Sequence, residues 1–181
     1  MRRDHMHKDT QPAGFLVANR SLLPPAGRAL DLAMGAGRNA VYLAKEGFQV
    51  EGIDISAEAV GKALALAKDE GVQISTIVED LENGYRLAPA AYDVIICFYY
   101  LHRPLIAEIK ESLRPGGVVV YETYNADQAE WGRPKNPDHL LKHNELLNMF
   151  CDYCILRYRE GVIEPRKAIA SIIARKPDKG G

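Results

Sequence analysis

The sequence predicts an α/β fold: a doubly wound, mostly parallel seven-stranded sheet with one antiparallel strand from a C-terminal hairpin, and helices on both faces. Three observations carry this. Strand-like and helix-like stretches alternate along most of the chain, as parallel βα units require. Tyr92–Phe98 (YDVIICF) is an unbroken apolar run, the mark of a strand covered on both faces. Tyr153–Glu160 and Lys167–Ala174 are strand patterns close enough to pair as a hairpin. The 181 residues suit one domain, at roughly 100–200 residues per domain.

Taken in order, Arg28–Ala33 is a short buried strand after a Pro/Gly turn, and Asn39–Lys45 a helix closed by Gly47. Phe48–Asp54 alternates as a strand. Ser56 caps a helix running to Glu70, with Val60, Ala63, Leu64 and Ala67 on one face. Val72–Val78 is a third strand and Tyr92–Phe98 the fourth. Pro104–Leu113 reads as a helix with Leu105, Ile106, Ile109 and Leu113 inward, then a Pro115-Gly116-Gly117 turn and a fifth strand, Val118–Tyr124. Asp138–Phe150 reads as a helix before the hairpin. Residues 1–12 and 176–181 are expected to be flexible, leaving 13–175 as the domain.

Composition narrows the function classes. Lys+Arg 23 against Asp+Glu 24 excludes a generally polybasic nucleic-acid binder. No apolar run approaches the roughly 18–20 residues that cross a bilayer. The polar start, Met1–Asp9, lacks the apolar stretch of a secretory signal. Three cysteines make no disulfide framework, so a cytoplasmic protein is expected.

The richest segment is Asp31-Leu-Ala-Met-Gly35-Ala-Gly37-Arg-Asn-Ala40, which follows a strand and opens a helix. Gly35 and Gly37 permit a tight turn and close backbone approach to a ligand. Asp54, ending the second strand, is placed to accept both hydroxyls of a ribose. A dinucleotide and S-adenosylmethionine both fit. A dinucleotide needs its pyrophosphate at the helix N-terminus. Asp31 ahead of the glycines would repel that group, whereas it suits an ammonium and a sulfonium. The electrostatics favour S-adenosylmethionine, with S-adenosylhomocysteine as the product.

DLAMGAGRNA, VEGIDIS, EDLE, YDVIICFYYLHRP and LRPGGVVVYETYN together resemble the class I S-adenosylmethionine-dependent methyltransferases. Within them, GRNAVYLA, LHRPL and YETYN followed by RPKNPDHLL resemble the small bacterial tellurite-resistance branch. The resemblance implies that Asp31, Ala33, the Gly35–Gly37 turn and Asn39 hold the methionine moiety. It implies that Asp54 binds ribose, Ile55 flanks adenine, and Asp80 and the Leu81 amide meet the adenine edge. It places the Cys97 backbone near the methionine amino group. Ala33-Met34 stands where the family often has Gly-Cys, so Met34 is expected to reshape the pocket floor. An aromatic-rich N-terminal helix common in relatives is not evident, and an incomplete lid is expected.

The acceptor pocket is expected from Tyr99, Tyr100, His102, Arg103, Tyr124, Asn125, Trp131, Arg133 and His139. Tyr99, His102 and Arg103 are the catalytic candidates, with His102 the candidate base for an amine or alcohol acceptor. Arg103 and Arg133 are expected to converge as paired planar donors for an anion. The acceptor is read as a small molecule or chalcogen oxyanion, not a nucleic acid or membrane, and the protein as a monomer or homodimer. A nicotinamide-dependent oxidoreductase and a non-catalytic S-adenosylmethionine-binding protein are the alternatives. No metal is expected: Cys151-Asp-Tyr-Cys154 lacks a second ligand pair, and His139 and His143 lack the neighbouring Glu of a zinc motif.

Overall fold

The computed structural model describes residues 10–178; the expectations for the first nine and last three residues lie outside it. One mixed sheet holds seven strands: β1 (Gly27–Leu32), β2 (Phe48–Asp54), β3 (Ser75–Val78), β4 (Tyr92–Phe98), β5 (Leu113–Tyr124), β6 (Cys154–Glu164) and β7 (Lys167–Arg175). Their order is β3-β2-β1-β4-β5-β7-β6. The first five pair in parallel, and β7 runs antiparallel to both β5 and β6. Strand order reverses between β1 and β4, so a crevice opens at the carboxyl ends of those strands.

Alternation along the strands divides the core into two layers. Leu30, Leu32, Ile95, Cys97, Val119 and Tyr121 face one layer. There they meet Leu105, Ile106 and Ile109 of helix α4 (Leu105–Ser112). Ala29, Val94, Ile96, Phe98 and Val120 face the other. This layer is closed by α1 (Gly14–Ala18), α2 (Arg38–Lys45) and α3 (Ala57–Asp69) through Phe15, Leu16, Ala40, Leu43, Val60 and Ala63. Asp31, Glu122 and Ser171 share the parity of the second layer, so they point toward α1 and α2.

Ser56 caps α3 as expected, its Oγ accepting from the Ala59 amide at 3.1 Å. Leu64 is the exception on that helix, at 44% exposure, because Val60, Ala63 and Ala67 already cover the sheet. The expected 138–150 helix is not formed. A 3₁₀ turn (Pro137–His139) and two short helices, α5 (Gln128–Trp131) and α6 (Glu145–Met149), stand around an extended link. In that link Leu141 bridges in parallel with Asn125, its amide bonded to the Tyr124 carbonyl at 3.0 Å. Asn144 adopts φ 61° with its amide on the Glu160 carboxylate, which prevents a continuous helix. Lys176, expected in a loose tail, is tied by Nζ to the Lys110 and Leu113 carbonyls. No helix among the described residues is long and apolar enough to cross a membrane.

Candidate active site

β1 ends in a turn built by its own sequence. Gly35 and Gly37 adopt φ 56° and 79°, the left-handed region where a side chain is strained. The Met34 amide donates to the Ile53 carbonyl at 3.0 Å, and the Gly37 amide to the Met34 carbonyl at 3.1 Å. The two glycines have different duties. A Cβ on Gly37 would meet the Ala63 Cβ at 2.5 Å, so this glycine lets α2 lie against α3. A Cβ on Gly35 would meet nothing within 4 Å, since it faces the crevice. Ala33 takes φ 51° despite its side chain, which explains the glycine often found there in relatives. Met34 packs onto Gly52, where a Cβ would sit 2.0 Å from its sulfur; the missing side chain on β2 makes room for the long one.

Two cavities flank this turn and meet at Ala33. One, of about 710 Å³, is lined by Asp31, Gly35, Asn39, Phe98 and Tyr99. The other, of about 380 Å³, is lined by Asp54, Ile55, Asp80, Leu81 and Tyr100.

Asp31 is 2% exposed, and its Oδ2 has no hydrogen-bond partner. Burial pushes its pKa up to about 8, against lowering from the backbone and from Arg38. Such an orphaned buried carboxylate calls for a cation. In the second cavity, Asp54 accepts from the Gly35 amide at 2.8 Å and from the Ser56 amide at 2.9 Å, one bond per oxygen. A carboxylate has about four acceptor sites, so each oxygen keeps a lone pair for a vicinal diol. Ile55 is 67% exposed at the rim, an apolar face for a flat base. The Asp80 carboxylate closes its own turn by accepting from the Glu82 amide at 2.9 Å. Cation site, diol acceptor and apolar rim fit S-adenosylmethionine; a pyrophosphate in the first cavity would face Asp31.

Other predicted residues fall as follows. Asn39 is buried, and its Oδ1 accepts from the Ala13 amide at 2.8 Å, holding the N-terminal segment over the crevice. The Cys97 thiol lies in the core with its pKa pushed up to about 12 by burial, which makes it inert. Tyr99, at the end of β4, has φ 58° and lines both the donor cavity and a third cavity of about 610 Å³. Its hydroxyl donates to Glu122 Oε1 at 2.8 Å, its ring lies 5.1 Å from that of Tyr124, and burial with the neighbouring carboxylate pushes its pKa up. The Tyr100 hydroxyl donates to Glu82 at 3.1 Å.

Arg103 and Arg133 are not brought together. Glu145 grips the Arg103 guanidinium through two oxygens, at 2.6 and 3.0 Å, and the Asp138 and Leu140 carbonyls accept its remaining bonds. That arginine ties the start of α4 to the 138–145 link. Arg133, Trp131 and His139 are exposed, and His102 is half-buried; none lines the three cavities. Asn125 is buried against the Asp127 amide at 3.2 Å.

The third cavity joins the hairpin residues Arg157, Arg159, Glu164 and Lys167 to Arg38, Tyr99 and Glu122, which lie far apart in the sequence. Glu122 is 3% exposed. Its Oε2 accepts from Ser171 Oγ at 2.6 Å and from Arg159 at 3.1 Å, along one cross-strand row of β5, β7 and β6. Arg38 and Tyr99 line both this cavity and the donor cavity. One signal was visible: Glu122 interrupts the apolar run VVVYETY.

Fold and crevice are those of the class I S-adenosylmethionine-dependent methyltransferases. More narrowly, residues 29–117 match the model of the methyltransferase-domain family. A ubiquinone biosynthesis O-methyltransferase of Serratia proteamaculans is 35% identical over 107 residues, 56% of this chain and 44% of that protein. The chain thus spans less than half the length of the curated relatives it matches. The TehB structure from Haemophilus influenzae is 24% identical with a TM-score of 0.74, over 91% of this chain and 62% of that one. A Mesorhizobium loti S-adenosylmethionine-dependent methyltransferase is 20% identical with a TM-score of 0.73, over 91% and 98%.

Proposed function

We propose that this chain transfers the methyl group of S-adenosylmethionine to a small-molecule acceptor, in the cytoplasm, and releases S-adenosylhomocysteine. The observation that carries the reading is the buried Asp31 carboxyl group, whose Oδ2 has no partner, opening on a cavity that joins the third one at Tyr99 and Arg38. The cofactor supplies an electrophilic methyl on a sulfonium. Asp31 faces its ammonium, Gly35 lets the backbone approach it, Asp54 accepts the ribose hydroxyls, and Ile55 lies on the adenine. Tyr99 stands at the junction with the Lys167 ammonium 4.8 Å from its ring. Displacement at carbon depends chiefly on alignment, and the left-handed backbone of Tyr99, held by Glu122, fixes that junction.

An oxidoreductase reading is opposed by Asp31, which would meet a pyrophosphate. A non-catalytic binding protein would have no use for a second cavity joined to the first. The test is S-adenosylhomocysteine production across a panel of small acids, alcohols, amines and chalcogen oxyanions. Production above the enzyme-free background supports the reading. Tight cofactor binding with no production from any of them contradicts it.

A further inference from the structure

We propose that the acceptor is an organic carboxylate methylated on oxygen, its head on Arg38 and Arg157 and its body along Pro12 and Ala18. The inference rests on the donor cavity holding S-adenosylmethionine.

Charge gives the first argument. The third cavity is lined by four cations, Arg38, Arg157, Arg159 and Lys167, against two anions, Glu122 and Glu164, a formal surplus of two. Glu122 and Ser171 occupy Arg159, and Glu164 lies 3.6 Å from Lys167. Arg38 donates once, to the Gln11 carbonyl at 3.3 Å. Among the described residues neither Arg38 nor Arg157 has a carboxylate partner. Two guanidinium forks therefore stand ready for planar paired acceptors.

Size and polarity give the second. A bare oxyanion occupies the space of a few waters, about 100 Å³ at about 30 Å³ each. The cavity holds about 610 Å³, and beside its polar groups Pro12 and Ala18 offer it apolar surface, Ala13 and Phe15 being already buried. An oxyanion would fill a fraction of that space and leave Pro12 and Ala18 facing water, whereas an organic acid covers them.

Proton bookkeeping gives the third. Glu122 already accepts from Tyr99, Arg159 and Ser171, and Glu164 lies beside Lys167. The Tyr99 hydroxyl is itself a donor to Glu122, and His102 lines none of the three cavities. A neutral alcohol would need Glu122 or Glu164 as its base, each already paired with a cation, but a carboxylate has no proton to lose. A head on Arg38 lies at the boundary with the donor cavity. There a carboxylate oxygen lone pair forms the new C–O bond. The methyl C–S bond breaks with its pair kept on sulfur, and no proton is taken or released.

Calorimetry with S-adenosylhomocysteine-loaded protein tests this, using octanoate, benzoate and phenylacetate, their matched alcohols, and selenite. Reactions with S-adenosylmethionine are read for methyl esters by mass spectrometry. At least one carboxylate should bind tenfold or more tighter than its alcohol and than selenite, and should yield its ester. Arg157→Leu should weaken that binding tenfold or more while leaving S-adenosylhomocysteine affinity within twofold. Equal binding of acid and alcohol, no binding of any carboxylate, or an unchanged Arg157→Leu would overturn the proposal. Failure of S-adenosylhomocysteine itself to bind would instead bring down the reading beneath it.

Discussion

The donor side of the crevice is walled mainly by four short runs, residues 31–39, 54–55, 79–82 and 98–100, at the ends of adjacent strands β1, β2, β3 and β4. The third cavity instead combines the segment before β1, the first residue of α2, the residue after β4, the carboxyl-terminal part of β5 and the β6–β7 hairpin. Each donor run is continuous because one strand end and its turn do one task. The opposite wall exists only once three strands align Glu122, Ser171 and Arg159 in register. The family match ends at residue 117, before most of that wall begins. The matched span takes in the donor runs and leaves out the hairpin and the segment before β1.

If the division holds, substitutions should separate the two sides. The largest effect is expected at Asp31. Asp31→Asn should weaken S-adenosylmethionine binding at least about 100-fold, worth about 2.7 kcal/mol. It should also raise thermal stability at pH 8. The carboxyl titrates near 8 in the folded chain against a usual 3.8, so the folded state holds a proton that the unfolded chain has lost. That contribution is full below pH 3.8 and is lost as pH rises toward 8; asparagine removes the dependence. A melting temperature that falls at pH 8 would count against an unpaired buried charge.

Next comes Asp54. Asp54→Ala loses charge-assisted bonds of about 1.5–3 kcal/mol and the clamp on the Gly35 amide, so cofactor affinity should fall roughly 10- to 100-fold. Asp80→Ala should cost less, because its carboxylate already serves the Glu82 amide. Affinities ranked the other way would misplace the nucleoside.

On the opposite side, Glu122→Gln should reduce stability by about 1–3 kcal/mol by loosening Arg159 and Ser171. S-adenosylhomocysteine affinity should stay within about twofold. A loss as large as that of Asp54→Ala would show that the two sides are one unit. The smallest effect is expected at Ala33, where Ala33→Gly relieves φ 51° and should stabilise by up to about 1 kcal/mol in denaturant unfolding.

The same division accounts for what could be read from the sequence. The strands, the glycine turn and the places of Asp31 and Asp54 were legible because local patterns set them: apolar period, left-handed turn residues and a carboxylate near the end of each strand. The 138–150 helix misled because its apolar spacing is helical, yet Leu141 pairs with Asn125 and Asn144 turns left-handed. Arg103 looked free beside a strand end, but its partner Glu145 lies 42 residues on. Arg38 sits inside the motif, and nothing local shows that it also faces the hairpin.

Calorimetric titration of S-adenosylmethionine, with NAD as the control, tests the central claim most directly when repeated at pH 6 and pH 7. Binding should tighten by up to about tenfold over that unit, as a cation draws the proton from Asp31, and NAD should not bind. Affinity independent of pH, or NAD bound as tightly as S-adenosylmethionine, would contradict it.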